Sequence, residues 1–301
     1  MNSSSRRKIM KYAICLGIIV ITLCACYPTV RRTWINRQLI YAVDAGNQDR
    51  IEALLLTGAD ANMRMQSDQF RLLEFVPWFR KPNQRGNSRQ PTVLQHLLDE
   101  NPPALASANL LIQYGADTTV TDKSHRTLLD TMLAQGIGDE DEWYTTIDLL
   151  LSHGCSSHTT SGNLLGISVE WQSAKLAAIA LRYDWKSDRT DELNSAITYG
   201  ELDIVRLILK AGTDPNSSGH YHNVPLINAS TIVYDQTEIS SRGNEIRRGI
   251  VIVLIKSGAK LDATDRLGHT ALYYARQRRD SSLMSLFATY GNGKHARSSP
   301  P

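Results

Sequence analysis

His153, Cys155 and His158 fall close together in "SHGCSSH". Imidazole nitrogens and a thiolate are ligands that zinc and copper favour, so this stretch could in principle hold a metal. A closed zinc site needs a fourth ligand, and the sequence indicates none. The stretch also ends an aliphatic run, "IDLLLSHGCSS", where a Cys most often serves as a small buried apolar residue. His220 and His222 in "GHYH" are only two ligands and read as a solvent-facing turn. Asp139, Glu140, Asp141 and Glu142 in "GIGDEDEWYTT" could attract calcium, but their spacing is not that of an EF-hand loop. Acids just ahead of an apolar run instead favour the positive start of a helix. The sequence contains no G-x-S-x-G, H-E-x-x-H or G-x-x-x-x-G-K signature. The expectation is a non-enzymatic chain with no metal, no cofactor and no small-molecule substrate.

Charge narrows the partners further. Of the 33 Lys and Arg residues, four (Arg6, Arg7, Lys8, Lys11) lie in the first 25 residues, which carry no acid. The remainder sets 29 basic against 30 acidic side chains, so the body is near neutral. It lacks the basic excess that nucleic-acid binding needs. Three of the four cysteines (Cys15, Cys24, Cys26) also sit at the N-terminus, which leaves Cys155 alone in the body without an intrachain disulfide partner.

The elements that would position such residues follow a repeat. "IEALLLTGADAN", "ANLLIQYGADTT", "IDLLLSHGCSS", "VRLILKAGTDPN" and "VIVLIKSGAKLD" each carry an aliphatic helical run into a Gly. "LMSLFATYGNGK" closes the series at Gly291, and "AAIALRYDWKSD" fills the gap after Gly154 as a degenerate copy. From Gly58 to Gly291 is close to seven periods of about 33 residues. Upstream, "LIYAVDAGNQDRIEALLL" and "LNSAITYGELDIVRLIL" join an Ala-bearing first helix to an aliphatic second helix through Gly46 and Gly200. Gly after the aliphatic run suits a left-handed C-terminal cap, and Pro225 suits a first helical position. One such unit cannot bury both faces, so stacked neighbours must make the core.

This pattern resembles the ankyrin repeat. "DRLGHTALYYARQ" matches its turn and first-helix start at Asp265, Gly268, Thr270, Ala271 and Leu272, with Tyr273 in place of the usual His. The resemblance implies an all-α ankyrin-repeat solenoid of about six to seven helix-turn-helix repeats over residues 34–292, with a disordered tail at 293–301. It also implies a scaffold that binds a protein partner.

The N-terminus reads as an address. A basic stretch precedes a 16-residue apolar run from Tyr12 to Tyr27. As a helix the run would reach about 24 Å, short of the roughly 30 Å hydrocarbon core, which favours a signal peptide over a spanning helix. Leu23, Ala25 and Cys26 resemble the lipobox of bacterial lipoproteins, with Cys24 an unusual second residue. The resemblance implies a cleaved signal peptide at 1–25, acyl chains including palmitate on Cys26, and a tether at 26–33. Tyr27, rather than Asp, after that Cys leans toward the outer membrane, facing the periplasm. Arg6 and Arg7 also resemble a twin-arginine signal, although a basic start is the ordinary feature of any export signal. The rival reading of the segment is an uncleaved signal anchor.

An insertion at about 63–91 breaks the period. It carries Phe70, Phe75, Trp78, Phe79 and Arg80, residue types that anchor interfaces. Three readings stand: a partner-binding projection, a local mini-core, or contact with anionic lipid. Together the features imply a membrane-anchored envelope scaffold. One concrete role is an immunity protein that neutralises a toxic effector such as a lipase; the alternative is an envelope maintenance or stress factor supporting a resident enzyme.

Overall fold

The computed structural model describes residues 27–65, 90–100, 102–136, 141–160, 162–183, 188–219, 223–232 and 241–295. Within them the chain forms fourteen helices, and these divide into two compact units at residues 156 and 157. Unit 1 holds α1 (27–44), α2 (Gln48–Leu56), α3 (Val93–Asp99), α4 (Leu105–Gln113), α5 (Leu128–Ala134) and α6 (Asp141–Ser152). Unit 2 holds a two-residue hairpin, β1 (His158–Thr159) with β2 (Gly162–Asn163), then α7 (Leu164–Glu170) and α8 (Ala174–Tyr183). It continues through α9 (Thr190–Tyr199), α10 (Leu202–Lys210), α11 (Pro225–Thr231), α12 (Ser241–Lys256), α13 (Ala271–Gln277) and α14 (Ser281–His295).

The helices work in pairs, and each stage of a pair has a sequence cause. First helices are short. α3, α5, α7 and α13 begin at Thr92, Thr127, Asn163 and Thr270, whose side-chain oxygens accept a backbone N–H from the first turn. Thr92–Gln95 and Thr127–Asp130 close full capping boxes. Pro225 opens α11 at a position where its missing N–H costs nothing. Second helices present a narrow apolar face. In α10 it is Ile204, Val205, Ile208 and Leu209, all buried, and each fully buried aliphatic side chain contributes about 1.5–3 kcal/mol.

Five second helices, α2, α4, α6, α10 and α12, stop on a left-handed Gly. At Gly154 the chain has φ +97°, its N–H donates to Leu151 O, and the N–H of Cys155 donates to Leu150 O. This is a Schellman closure, and the residue after the Gly turns inward. Ala116, Cys155 and Ala259 are buried there. Within each unit, first helices pack on first helices (α3 on α5, α7 on α9, α9 on α11, α11 on α13), and second helices pack likewise. The result is the stacked helix-turn-helix repeat of ankyrin type that the sequence implied, with three pairs in unit 1 and four in unit 2.

One expectation differs from the structure. Gly291 does not end its helix, because α14 runs through it to His295. Residues 27–33, which the sequence suggests as a tether, are exposed residues of α1. Cys26, with the whole export segment, lies outside the described residues, as do Phe70, Phe75, Trp78, Phe79 and Arg80. No helix among the described residues is long and apolar enough to cross a membrane.

Candidate interaction surface

The turns that link one pair to the next carry the exposed, ordered polar groups. In unit 1 the turn at Asp122–Thr127 is folded around one carboxylate. Asp122 accepts from the Ser124 N–H at 2.7 Å, the Arg126 N–H at 2.9 Å and Arg126 Nε at 2.8 Å. Partial burial works against its charge, but these donors outweigh that and hold its carboxyl below the usual range. Thr121 and Thr127 close the loop as an antiparallel bridge. The tip presents Lys123, Ser124, His125 and Arg126, so it is basic.

Unit 2 repeats the device with other side chains. Asp265 accepts from the N–H groups of Leu267 and His269, both at 2.9 Å, and from the Tyr274 hydroxyl at 2.5 Å. The hydroxyl is the main reason this carboxyl is held below its usual range. Thr264 and Thr270 make the matching bridge. Gly268, with φ +78°, stands where unit 1 has His125, with φ +61°. This tip is apolar. Leu267 is 75% exposed, and the His269 ring stacks on Tyr273 with centroids 3.8 Å apart and planes within 3°. Tyr274 meets both rings edge-on. His269 Nδ1 is shut from solvent without a hydrogen-bond partner. The sequence reading missed this cluster; the signal was Tyr273-Tyr274 where an ankyrin first helix usually carries His.

The insertion leaves from a turn of the same kind. The Met65 N–H donates to Pro91 O, the Val93 N–H donates to Met63 O, and Arg64 pairs with Thr92 as a bridge. Arg64 Nη1 also donates to Gln90 O at 2.6 Å. The two ends of the insertion are thereby held side by side at the tip between the first and second pairs.

The metal candidates fare differently. Cys155 is buried in the slot after Gly154, and burial pushes its thiol pKa up, which disfavours the thiolate a metal needs. His153 Nδ1 sits 2.9 Å from Leu149 O in its own helix. Among the described residues no three His, Cys, Asp or Glu side chains are grouped to hold a metal ion. Asp141 and Glu142 lie in the first turn of α6, as expected of acids that favour a helix start. Asp139, Glu140, His220 and His222 lie outside the described residues. One open depression of about 280 Å³ in unit 1, between α2, α4 and α6, collects Asp49, Glu52, Glu142 and Asn109.

No known protein-family model matches the sequence. A fowlpox virus (strain NVSL) ankyrin repeat protein is 29% identical over 143 residues, which is 46% of this chain and 22% of that protein. The chain thus spans about a fifth of that relative's length. Among solved structures, the ankyrin repeat domain of Bcl-3 is 19% identical at a TM-score of 0.49, over 82% of this chain and 97% of that one. An ankyrin repeat domain from Acinetobacter baumannii AYE has the same identity and TM-score, over 66% and 97%. These likenesses are distant, and the fold rests on the chain's own capped and stacked helix pairs. Those pairs make it an all-α fold of helix-turn-helix repeats of ankyrin type.

Proposed function

We propose that this chain is a non-enzymatic scaffold that binds a protein partner through its repeat tips. The observation that carries the reading is the pair of tips at Asp122–Thr127 and Asp265–Thr270. Each is ordered by its own hydrogen bonds and held out from a rigid helix pair. Preordered loops lose little entropy on binding. An exposed Leu267 beside the His269–Tyr273 stack supplies the apolar anchor that interfaces favour. In the finer reading, the scaffold is tethered in a bacterial envelope by Cys26 and faces the periplasm, with the outer membrane favoured. There it caps a toxic effector, and the aromatic insertion (Phe70, Phe75, Trp78, Phe79, Arg80) adds to the contact. Cys26, the apolar run before it and the stapled ends of the insertion support this reading.

The test is affinity purification of tagged full-length chain from gently solubilised native membranes, followed by remixing with the partner that co-elutes. A one-to-one complex that Leu267→Asp weakens at least tenfold supports the tip reading. A complex indifferent to that change moves the contact off the tip. A partner that is resident envelope machinery, not a toxin or hydrolase, favours the maintenance role.

A further inference from the structure

Helix α1 carries two faces. Ile35, Leu39, Ala42 and Val43 point into unit 1 and are buried. On the other side Tyr27, Val30, Trp34, Arg37 and Tyr41 recur at intervals of three and four. At about 100° per residue they fall within an arc of about 80°. Apolar side chains on a solvent face are ordinary when scattered, but here they form one stripe about 21 Å long. Tyr27 is 67% exposed, Trp34 60%, and Val30 and Tyr41 are exposed too.

The composition of the stripe is that of a bilayer interface. Tyr and Trp concentrate at the headgroup level, where one end of the ring is apolar and the other wet. The cations sit beside them. Arg37 lies over the Tyr41 ring, 5.5 Å from its centroid, and donates to the Tyr41 hydroxyl from Nε and Nη2 at 3.0 and 2.8 Å. Trp34 also lines an open groove of about 320 Å³ with Arg31 and Ile35 of α1 and Arg50, Ala53 and Leu54 of α2.

Chain order supplies the occupant. Tyr27, the first described residue of the stripe, is the last residue of the apolar run that starts at Tyr12 and directly follows Cys26. With Cys26 acylated, or with the run kept as a signal anchor, no spacer separates the anchor from α1. A second copy of α1 would have to bury Arg37 in the middle of the seam, whereas headgroups solvate it.

We propose that the exposed stripe of α1, through Tyr27, Val30, Trp34 and Tyr41, lies in the headgroup region of an anionic bilayer and fixes unit 1 against the membrane surface. The inference rests on the membrane-anchored reading above. Its test uses full-length chain in vesicles of phosphatidylglycerol and acyl-brominated phosphatidylcholine, read by flotation and by tryptophan quenching. Trp34 is one of five tryptophans, and Trp34→Phe should remove a distinct quenched component from the emission while the protein still floats. Quenching that Trp34→Phe leaves unchanged in floating protein overturns the inference with anchoring intact, and leaves the stripe to a second copy or a protein partner. Protein that does not float overturns both. A Cys26→Ser chain that floats, with the Trp34 component retained, removes lipidation as the anchor and leaves the inference standing.

Discussion

Unit 2 pairs a buried guanidinium with a half-buried carboxylate, and the two sides of the pair should respond very differently to mutation. Arg247 on α12 is 8% exposed, and its Nη1 donates to Asp280 Oδ2 at 3.0 Å. Asp280 Oδ1 also accepts the Leu283 N–H at 3.0 Å, which caps α14. Arg278 reaches the α11 carbonyls of Ser230 and Ile232 at 3.4 and 3.2 Å. Burial and then the neighbouring charge of Arg247 lower the Arg278 pKa, while Asp280 offsets part of that. Asp280→Ala removes a helix cap, about 1 kcal/mol, and strands a buried cation, about 3–5 kcal/mol. The expected loss is about 4–6 kcal/mol. Arg247→Met keeps the apolar stem and leaves Asp280 with its cap and the nearby charge of Arg278. The guanidinium it removes was itself imperfect, since Nε has no partner. Its expected cost is about 1–2 kcal/mol. The double variant should be more stable than Asp280→Ala alone, because no guanidinium is then stranded at position 247. Urea unfolding followed by far-ultraviolet circular dichroism measures all three. An Arg247→Met loss equal to or larger than that of Asp280→Ala would refute the charge assignment.

Three further changes test other parts of the fold. Asn216 donates to Gly258 O and accepts the Lys260 N–H, so Asn216→Ala should cost about 1–2 kcal/mol and speed hydrogen exchange at Lys260. An unchanged exchange rate there would remove the clasp from the account. His125 holds φ +61° where the unit 2 turn has a Gly, so His125→Gly should stabilise unit 1 by about 0.5–1 kcal/mol, and a loss in thermal melts would count against the strain. Tyr274→Phe removes the hydroxyl that holds Asp265 ionised. A carboxyl depressed in the folded chain contributes stability above its unfolded pKa and loses it as pH falls through the lowered value. The stability gap between wild type and Tyr274→Phe should therefore be widest near neutrality and close in acid, and a gap that is constant with pH would contradict the pairing.

The repeat was legible because its signals are local. A Gly after an aliphatic run and Pro225 at the first helical position each act within a few residues, and each does so in the structure. The reading of Cys155 as a small apolar substitute for Ala was legible for the same reason, and the residue is buried in that slot. Gly291 misled because the stop needs two residues, not one. Ala, Cys or Thr follows the Gly at the five working caps, whereas polar Asn292 follows Gly291, and a single Gly inside a helix costs only about 1 kcal/mol. The tip cluster of His269, Tyr273 and Tyr274, and the outward stripe of α1, needed the fold to show which faces stay uncovered. Patterning gives two faces to a helix and does not say which of them a neighbour will take.

Most hidden from the sequence were the polar clasps between pairs, yet they explain how repeats this degenerate keep their register. A helix leaves its last carbonyls without partners, and a stacked array would bury many of them. In unit 1, Gln135 at the end of α5 donates to Leu98 O and Glu100 O at the end of α3, at 2.7 and 3.1 Å. In unit 2, Arg278 holds the equivalent position after α13 and serves the end of α11. At the opposite ends of the helices, Asn62 clasps Gly115 O and the Asp117 N–H, and Asn216 clasps Gly258 O and the Lys260 N–H. The donors are chemically different, a carboxamide in one case and a guanidinium in the other, and they lie 35 to 48 residues from their acceptors. No short motif could announce them. What they share is placement: each satisfies backbone groups of one pair with a side chain of another. Orphaned helix ends thus become the adhesive between repeats, and the apolar faces can drift in sequence as long as a donor arrives at each end. Stability in such an array is a sum of nearest-neighbour terms, so loss of one clasp should loosen one boundary and leave more distant pairs of the same unit ordered.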